Sequence, residues 1–271
     1  LAYDCPTGEF RDSTDLGLPG VQAELLQAVL GTSKPVVLVL INGRPLSIPG
    51  LIEASNAVLE AWVPGEEGAG AIVSALLGEI NPGGKLPVSI ARSVGQVPIF
   101  YNHKPSGMRS NIYGDYVNES VKPLFPFGHG LSYTQFEYSN LSLDKQHAGL
   151  DESLQISFDV KNIGSVAGDE VVQLYTCDEY AEFPRPVMEL RGFTRVHLLP
   201  GEKKHIRFDL PVNMLAHYGE GLKLVLEPGT VKILVGSSSE DIRLQAEFEV
   251  SGETNQIVQD RVFDCPVTVT Q

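Results

Sequence analysis

The side chains best suited to chemistry in this chain are carboxylates, and their settings differ. Glu9 follows Gly8 in a stretch, residues 1–19, rich in Pro, Gly, Asp, Ser and Thr and without lasting periodicity, which reads as a loop. Taken by itself Glu9 is an ordinary surface acid, because exposed carboxylates are common. Glu66 and Glu67 open a predicted helix, where acids complement the helix dipole. Gly83-Gly84-Lys85 reads as a turn, since neither Gly-x-x-x-x-Gly-Lys-Ser/Thr nor Gly-x-Gly-x-x-Gly follows a strand. His103 and His129 have no second ligand at a recognisable spacing, so no metal site and no cofactor is predicted. Cys5, Cys177 and Cys265 are too few and too scattered for a disulfide framework; they are read as inert thiols, with a Cys5–Cys265 bridge as the alternative. The run from Phe100 through Tyr101, His103 and Lys104 to Gly107 combines aromatic rings with hydrogen-bonding groups. Such a set suits a sugar rim, where rings stack on a pyranose and polar tips meet hydroxyls, although a solvated loop has the same composition.

The elements that would position these groups follow two patterns. Residues 35–41 form an unbroken apolar, β-branched run, which predicts a strand buried on both faces as in a parallel sheet. Asn42-Gly43-Arg44-Pro45 ends it with turn chemistry. A helix is predicted over 21–30, with Val21, Leu25, Ala28 and Val29 on its packing face, and a short one over 51–54. A strand at 57–62, a helix at 66–77 with Ile72, Leu76 and Leu77 at helical spacing, and a short strand at 86–90 complete an α/β pattern. Beyond Phe136 the period changes to two. Residues 154–160 alternate apolar and polar, and runs at 171–175, 188–196, 205–210, 222–226, 231–235 and 244–250 follow, punctuated by Pro200-Gly201 and Pro228-Gly229. About seven short strands in roughly a hundred residues predict an immunoglobulin-like β-sandwich. The aromatics Phe125, Phe127 and Tyr133 are expected to pin down the Gly- and Pro-rich connection between the two patterns.

With 271 residues the chain has room for two domains, and 42% hydrophobic against 20% charged residues is a globular composition. Twenty basic against 34 acidic residues give a net charge of −14, which argues against a nucleic-acid or anionic-membrane partner and suits a neutral ligand. No basic tract, membrane-length apolar run or signal pattern appears. A soluble protein is expected, and a secreted, periplasmic or cytoplasmic location stays open. Asn118-Glu119-Ser120 and Asn140-Leu141-Ser142 fit the glycosylation pattern, which matters only in a secreted eukaryotic protein.

Five motifs, in order, resemble glycoside hydrolase family 3: Val37-Leu-Val-Leu-Ile-Asn-Gly-Arg-Pro-Leu46, Trp62-Val-Pro-Gly-Glu-Glu-Gly68, Gly78-Glu-Ile-Asn-Pro-Gly-Gly-Lys-Leu-Pro87, Arg92-Ser-Val-Gly-Gln-Val-Pro98 and Phe125-Pro-Phe-Gly-His-Gly-Leu-Ser-Tyr-Thr134. The resemblance implies the second, α/β-sandwich domain of the family's β-glucosidases and β-xylosidases over residues 1–107, then an ordered linker over 108–135. A fibronectin type III-like β-sandwich over 136–251, including Pro184-Arg-Pro186 and Leu190-Arg-Gly-Phe193, and a C-terminal tail over 252–271 would follow. It implies that Glu9 is the general acid/base of a retaining, exo-acting β-glycosidase. In the family such a glutamate lies in a Gly-Glu loop ahead of Leu-x-Leu-Pro-x-x-Gln, here Leu16-Gly-Leu-Pro19-Gly-Val-Gln22. Relatives often place Arg four residues after the glutamate, where this chain has Ser13, with Arg11 closer. The nucleophile is then an aspartate of an N-terminal barrel that is not in this chain, and the barrel becomes a partner. The implied substrates are β-glucoside or β-xyloside oligosaccharides, and a homo-oligomer remains an alternative. A non-catalytic carbohydrate-binding relative is the competing reading.

Overall fold

The computed structural model describes residues 8–105, 114–178, 180–254 and 256–271. They fall in two compact units, one from residues 8–80, 88–99 and 114–126, the other from 81–87, 100–105 and 127–271. In the first unit the β-branched run gives strand β1 (Val37–Leu40), paired in parallel with β2 (Ala57–Glu60) so that Leu40 lies opposite Glu60. Helices α1 (Gln22–Leu30), α2 (Pro49–Ala54) and α3 (Gly68–Leu76) accompany them. Pro49 stands at the start of α2, where its missing N–H costs no hydrogen bond. Leu40, Leu46, Ile48 and Ile52 make the buried core, joined by Leu18, Leu124 and Phe125.

Several predicted features of this unit take a different form. Strand β1 is not buried on both faces: Val37 is 50% exposed, and Ile41, just past its end, is 65% exposed. Helix α1 turns Leu26 inward, with Ala23 and Leu30 half-buried beside it, while Val21 and Leu25 face solvent. It carries two apolar stripes, and spacing alone does not rank them. Helix α3 starts at Gly68, so Glu66 and Glu67 stand ahead of its first turn instead of opening it, and Glu67 at the N-cap makes no side-chain capping bond. Its inward residues are Ile72 and Ala75, with Leu77 70% exposed. Residues 86–90 form no strand, since Pro87 lacks the N–H a ladder requires. Ile90 alone bridges Phe125.

The second unit is a β-sandwich. Its strands are β3 (Phe136–Leu143), β4 (His147–Ala148), β5 (Ser153–Asn162), β6 (Gly168–Asp178), β7 (Glu189–Leu198), β8 (Lys203–Pro211), β9 (His217–Tyr218), β10 (Leu224–Leu226), β11 (Gly229–Ser238), β12 (Asp241–Val250), β13 (Gln256–Ile257) and β14 (Val267–Thr270). One sheet runs β4-β12-β11-β6-β7 and the other β14-β8-β5-β3, with a small β13-β10-β9 sheet beside them. The alternating residues Leu154, Ile156, Phe158 and Val160 of β5, Ile206, Phe208 and Leu210 of β8, and Ile233 and Val235 of β11 are fully buried between the sheets. An α/β unit followed by an immunoglobulin-like β-sandwich is the architecture expected. Residues 252–271, expected as a tail, contribute β13 and β14, and β14 pairs with β8. The linker expected over 108–135 lies partly outside the described residues. Of its three aromatics, Phe125 packs in the first core and Phe127 stacks on Tyr101 at 4.4 Å, whereas Tyr133 is 55% exposed and its backbone N–H donates to Asn81 Oδ1.

The Asn81-Pro-Gly-Gly-Lys85 motif belongs to this second unit and is a set of clasps. Asn81 Nδ2 donates to the Ala167 carbonyl at 2.9 Å, and its Oδ1 accepts from Ser132 Oγ and Tyr133 N–H at 3.0 and 2.8 Å. Lys85 Nζ donates to the Gly130 carbonyl at 3.0 Å and pairs with buried Glu170 at 3.4 Å. Cys265 is a buried thiol whose ionisation is pushed up to about 12 by burial, and it stands in no disulfide; Cys5 lies outside the described residues. Among the described residues no helix is long and apolar enough to cross a membrane.

Candidate active-site loop

Residues 8–18 form the loop that carries Glu9. Its lower part is knitted by its own short polar side chains, as Asp and Ser readily do in turns. Ser13 Oγ donates to the Asp15 carbonyl at 2.7 Å and accepts from Asp15 N–H at 3.2 Å, and Gly17 N–H donates to Asp15 Oδ1 at 3.0 Å. The loop is fastened to the connection after β1 by Ser47 N–H, which donates to the Leu16 carbonyl at 2.8 Å, and Leu18 packs against the first core. At the tip, Arg11 N–H closes a turn on the Gly8 carbonyl at 3.2 Å, leaving Glu9 and Phe10 as its central residues. Gly8 has φ 129° and Phe10 φ 58°; the first suits glycine, and the second is a left-handed conformation that a bulky residue takes under strain. Both central side chains project into solvent, Phe10 being 91% exposed.

The connection after β1 also gathers a second carboxyl. Glu60 ends β2; its Oε1 accepts Trp62 N–H at 3.1 Å and its Oε2 accepts Asn42 Nδ2 at 3.3 Å, while Asn42 N–H donates to the Trp62 carbonyl at 3.1 Å. This ring of bonds joins the carboxyl ends of the two parallel strands and holds Trp62 at φ 50°. Burial raises the Glu60 carboxyl above its usual range, against the lowering pull of its bonds from Trp62 and Asn42. In open parallel sheets the carboxyl ends of the strands are where ligands are bound. The loop of Glu9 is tied to the connection that leaves this end of the sheet. From the sequence Asn42 reads as a turn residue and Glu60 and Trp62 as strand residues; the bond from Asn42 to Glu60 crosses two strands and leaves no local signal.

Tyr101, His103 and Lys104 lie in the second unit. The Tyr101 ring stacks on Phe127 and meets Tyr175 edge-on at 5.9 Å, and its hydroxyl oxygen accepts Leu190 N–H at 3.3 Å. The His103 carbonyl accepts Val187 N–H at 2.9 Å, its Nδ1 lies 2.9 Å from the Lys104 carbonyl, and Lys104 is exposed. Glu66 and Glu67 are exposed at the start of α3. Among the described residues no three His, Cys, Asp or Glu side chains cluster closely enough to hold a metal ion.

Residues 2–133 match the glycosyl hydrolase family 3 C-terminal domain, and residues 170–239 match a fibronectin type III-like domain. The chain belongs to glycoside hydrolase family 3. It is 46% identical over 232 residues to a β-xylosidase of Formosa agariphila, covering 86% of this chain and 32% of that one. It is 38% identical over 248 residues to a periplasmic β-glucosidase of Salmonella typhimurium, covering 89% and 32%. Among solved structures it is similar to a β-glucosidase of Listeria innocua, with TM-score 0.87 and 39% identity over 92% of this chain and 35% of that one. The Listeria protein has also been solved with glucose bound. The chain thus spans about a third of the length of the curated relatives it matches.

Proposed function

We propose that this chain supplies the general acid/base, Glu9, to a retaining, exo-acting β-glycosidase that removes terminal non-reducing β-D-glucosyl residues from oligosaccharides. The observation that carries the reading is the placement of Glu9: solvent-facing, at the tip of a loop fastened beside the carboxyl end of β1, inside the domain that matches the family. The names of the Salmonella and Listeria relatives support glucose as the sugar. A xylosidase reading is favoured by the 46% identity to the Formosa protein.

The chemistry assigned to Glu9 follows from the needs of double displacement. A carboxylate attacks the anomeric carbon while a carboxylic acid protonates the departing oxygen; the same group then takes a proton from water, which attacks the glycosyl-enzyme. Glu9 has the second role, and an aspartate of a barrel domain has the first. The barrel is thus the intramolecular partner of this chain.

In the enzyme completed with its barrel, Glu9→Ala should lower turnover of oligosaccharides by about 10²- to 10⁴-fold, the usual worth of a general acid. Glycosylation by a dinitrophenyl glycoside, whose leaving group needs no proton, should survive much better, and hydrolysis of the glycosyl-enzyme should then limit turnover and show a burst. Azide should restore turnover and yield a β-glycosyl azide, while Glu66→Ala and Glu67→Ala should gain nothing from it. Azide that accelerates Glu67→Ala but not Glu9→Ala would move the acid/base to the other loop. A panel of aryl β-glycosides on the same enzyme separates glucosidase from xylosidase.

A further inference from the structure

Arg44 reaches out of the connection after β1 and donates from Nη2 to the carbonyl of Arg11. Arg11 is the residue that closes the Glu9 turn, so the guanidinium grips that turn at its base. The turn needs such a grip. Its third residue is Phe10 with positive φ, a position that ordinarily takes glycine or asparagine, so local preference does not hold the shape. Packing does not hold it either, since Glu9 and Phe10 are both exposed. A strained backbone of this kind persists only where its surroundings over-determine it. Arg44 itself sits on the rigid side, four residues past the end of β1 and two before the buried core residue Leu46.

We propose that Arg44 is a positioning residue for Glu9: its planar guanidinium holds the Arg11 carbonyl, and through it the turn, so that the Glu9 carboxyl meets the glycosidic oxygen in a fixed place. The proposal rests on the acid/base assignment above. A misplacement of about 1 Å at such a group costs on the order of 10²-fold in rate. Lysine would keep the charge at Arg44 but lose the rigid fork.

The test is kinetic and uses the enzyme completed with its barrel. Arg44→Ala should lower kcat for oligosaccharides by roughly 10- to 100-fold with KM little changed. It should cost much less on the glycosylation step of a dinitrophenyl glycoside. Azide should accelerate it, and added guanidinium ion should recover part of the oligosaccharide rate. Combined with Glu9→Ala it should add almost nothing, because both changes act on one group. Far-ultraviolet circular dichroism and the thermal unfolding midpoint report whether the variant is folded. If Arg44→Ala does not fold, Arg44→Lys should show the same dependence on leaving group at smaller amplitude. Wild-type kinetics in a folded variant, an equal loss on both substrates, or full additivity with Glu9→Ala would overturn the proposal. The two readings fail separately. Loss of azide rescue in Glu9→Ala removes the acid/base assignment, whereas rescue of Glu9→Ala with an unaffected Arg44→Ala removes only the role of Arg44.

Discussion

At the scale of single residues, Asp159 shows how the β-sandwich uses charge. Its carboxylate on β5 accepts from Asn140 Nδ2 and His205 Nδ1, both at 2.8 Å, and from Lys203 Nζ at 3.0 Å. Burial by itself would raise its pKa, but the bonds from Asn140, His205 and Lys203 outweigh it and bring the carboxyl down to about 2. A carboxyl depressed in the folded state stabilises that state above its ordinary value near 4. That contribution fades as pH falls from about 4 towards 2. Asp159→Asn should therefore be less stable at neutral pH and lose less on acidification through that window, read as Tm against pH. An equal slope in the two proteins would show that Asp159 does not set the acid limit. None of its three partners is a neighbour in sequence, so this cluster was not legible beforehand. Glu9, by contrast, is proposed from a contiguous motif, and Ser13, which departs from the family pattern, bonds both the carbonyl and the N–H of Asp15.

At the scale of elements, the glycines of Phe125-Pro-Phe-Gly-His-Gly-Leu131 acquire a physical reason. Gly128 has φ 80° and lies under the Gln173 side chain. A Cβ on Gly130 would come 2.2 Å from the Gly84 carbonyl oxygen, a backbone atom with little freedom to retreat. Gly130→Ala should cost about 1–3 kcal/mol, the usual penalty of overpacking, seen as a lower urea midpoint. Gly84→Ala, whose Cβ meets open space, should cost far less. The strands themselves were legible. Strands β5, β8 and β12 alternate apolar and polar residues because one face of each meets the core, whereas two-residue strands such as β4 and β9 are too short to show a period. Phe158, stacked on Phe208 at 6.2 Å in that core, should lose about 3–5 kcal/mol on replacement by Ala.

At the scale of the whole molecule, the two units differ in how fully they enclose their apolar surface. The sandwich buries a continuous core, while the first unit leaves Val21, Leu25, Val37, Val73 and Leu77 largely exposed. Double displacement needs two carboxyl groups on one sugar, and the proposed function assigns only one to this chain. The purified 271-residue protein should therefore show no turnover of aryl β-glycosides. Robust hydrolysis by a preparation free of host enzyme would require a second catalytic carboxylate within these residues.

What the sequence determined by itself was whatever repeats locally or stands as a contiguous motif. The β-branched run of β1, the period-two strands of the sandwich and the turn residues between them lie along the chain, where spacing reveals them, and the motifs of the family are contiguous stretches known by resemblance. Tertiary structure decided which of two apolar stripes on α1 turns inward, since both satisfy a 3.6-residue period. It also decided that Asn81-Pro-Gly-Gly-Lys85 clasps the β-sandwich unit, that Glu60 and Asn42 brace Trp62, and that Arg44 grips the loop of Glu9. Apart from the Glu60–Trp62 bond, these contacts join residues far apart in sequence through hydrogen bonds whose partners are chosen only when the chain folds, and no pattern along the chain encodes that choice.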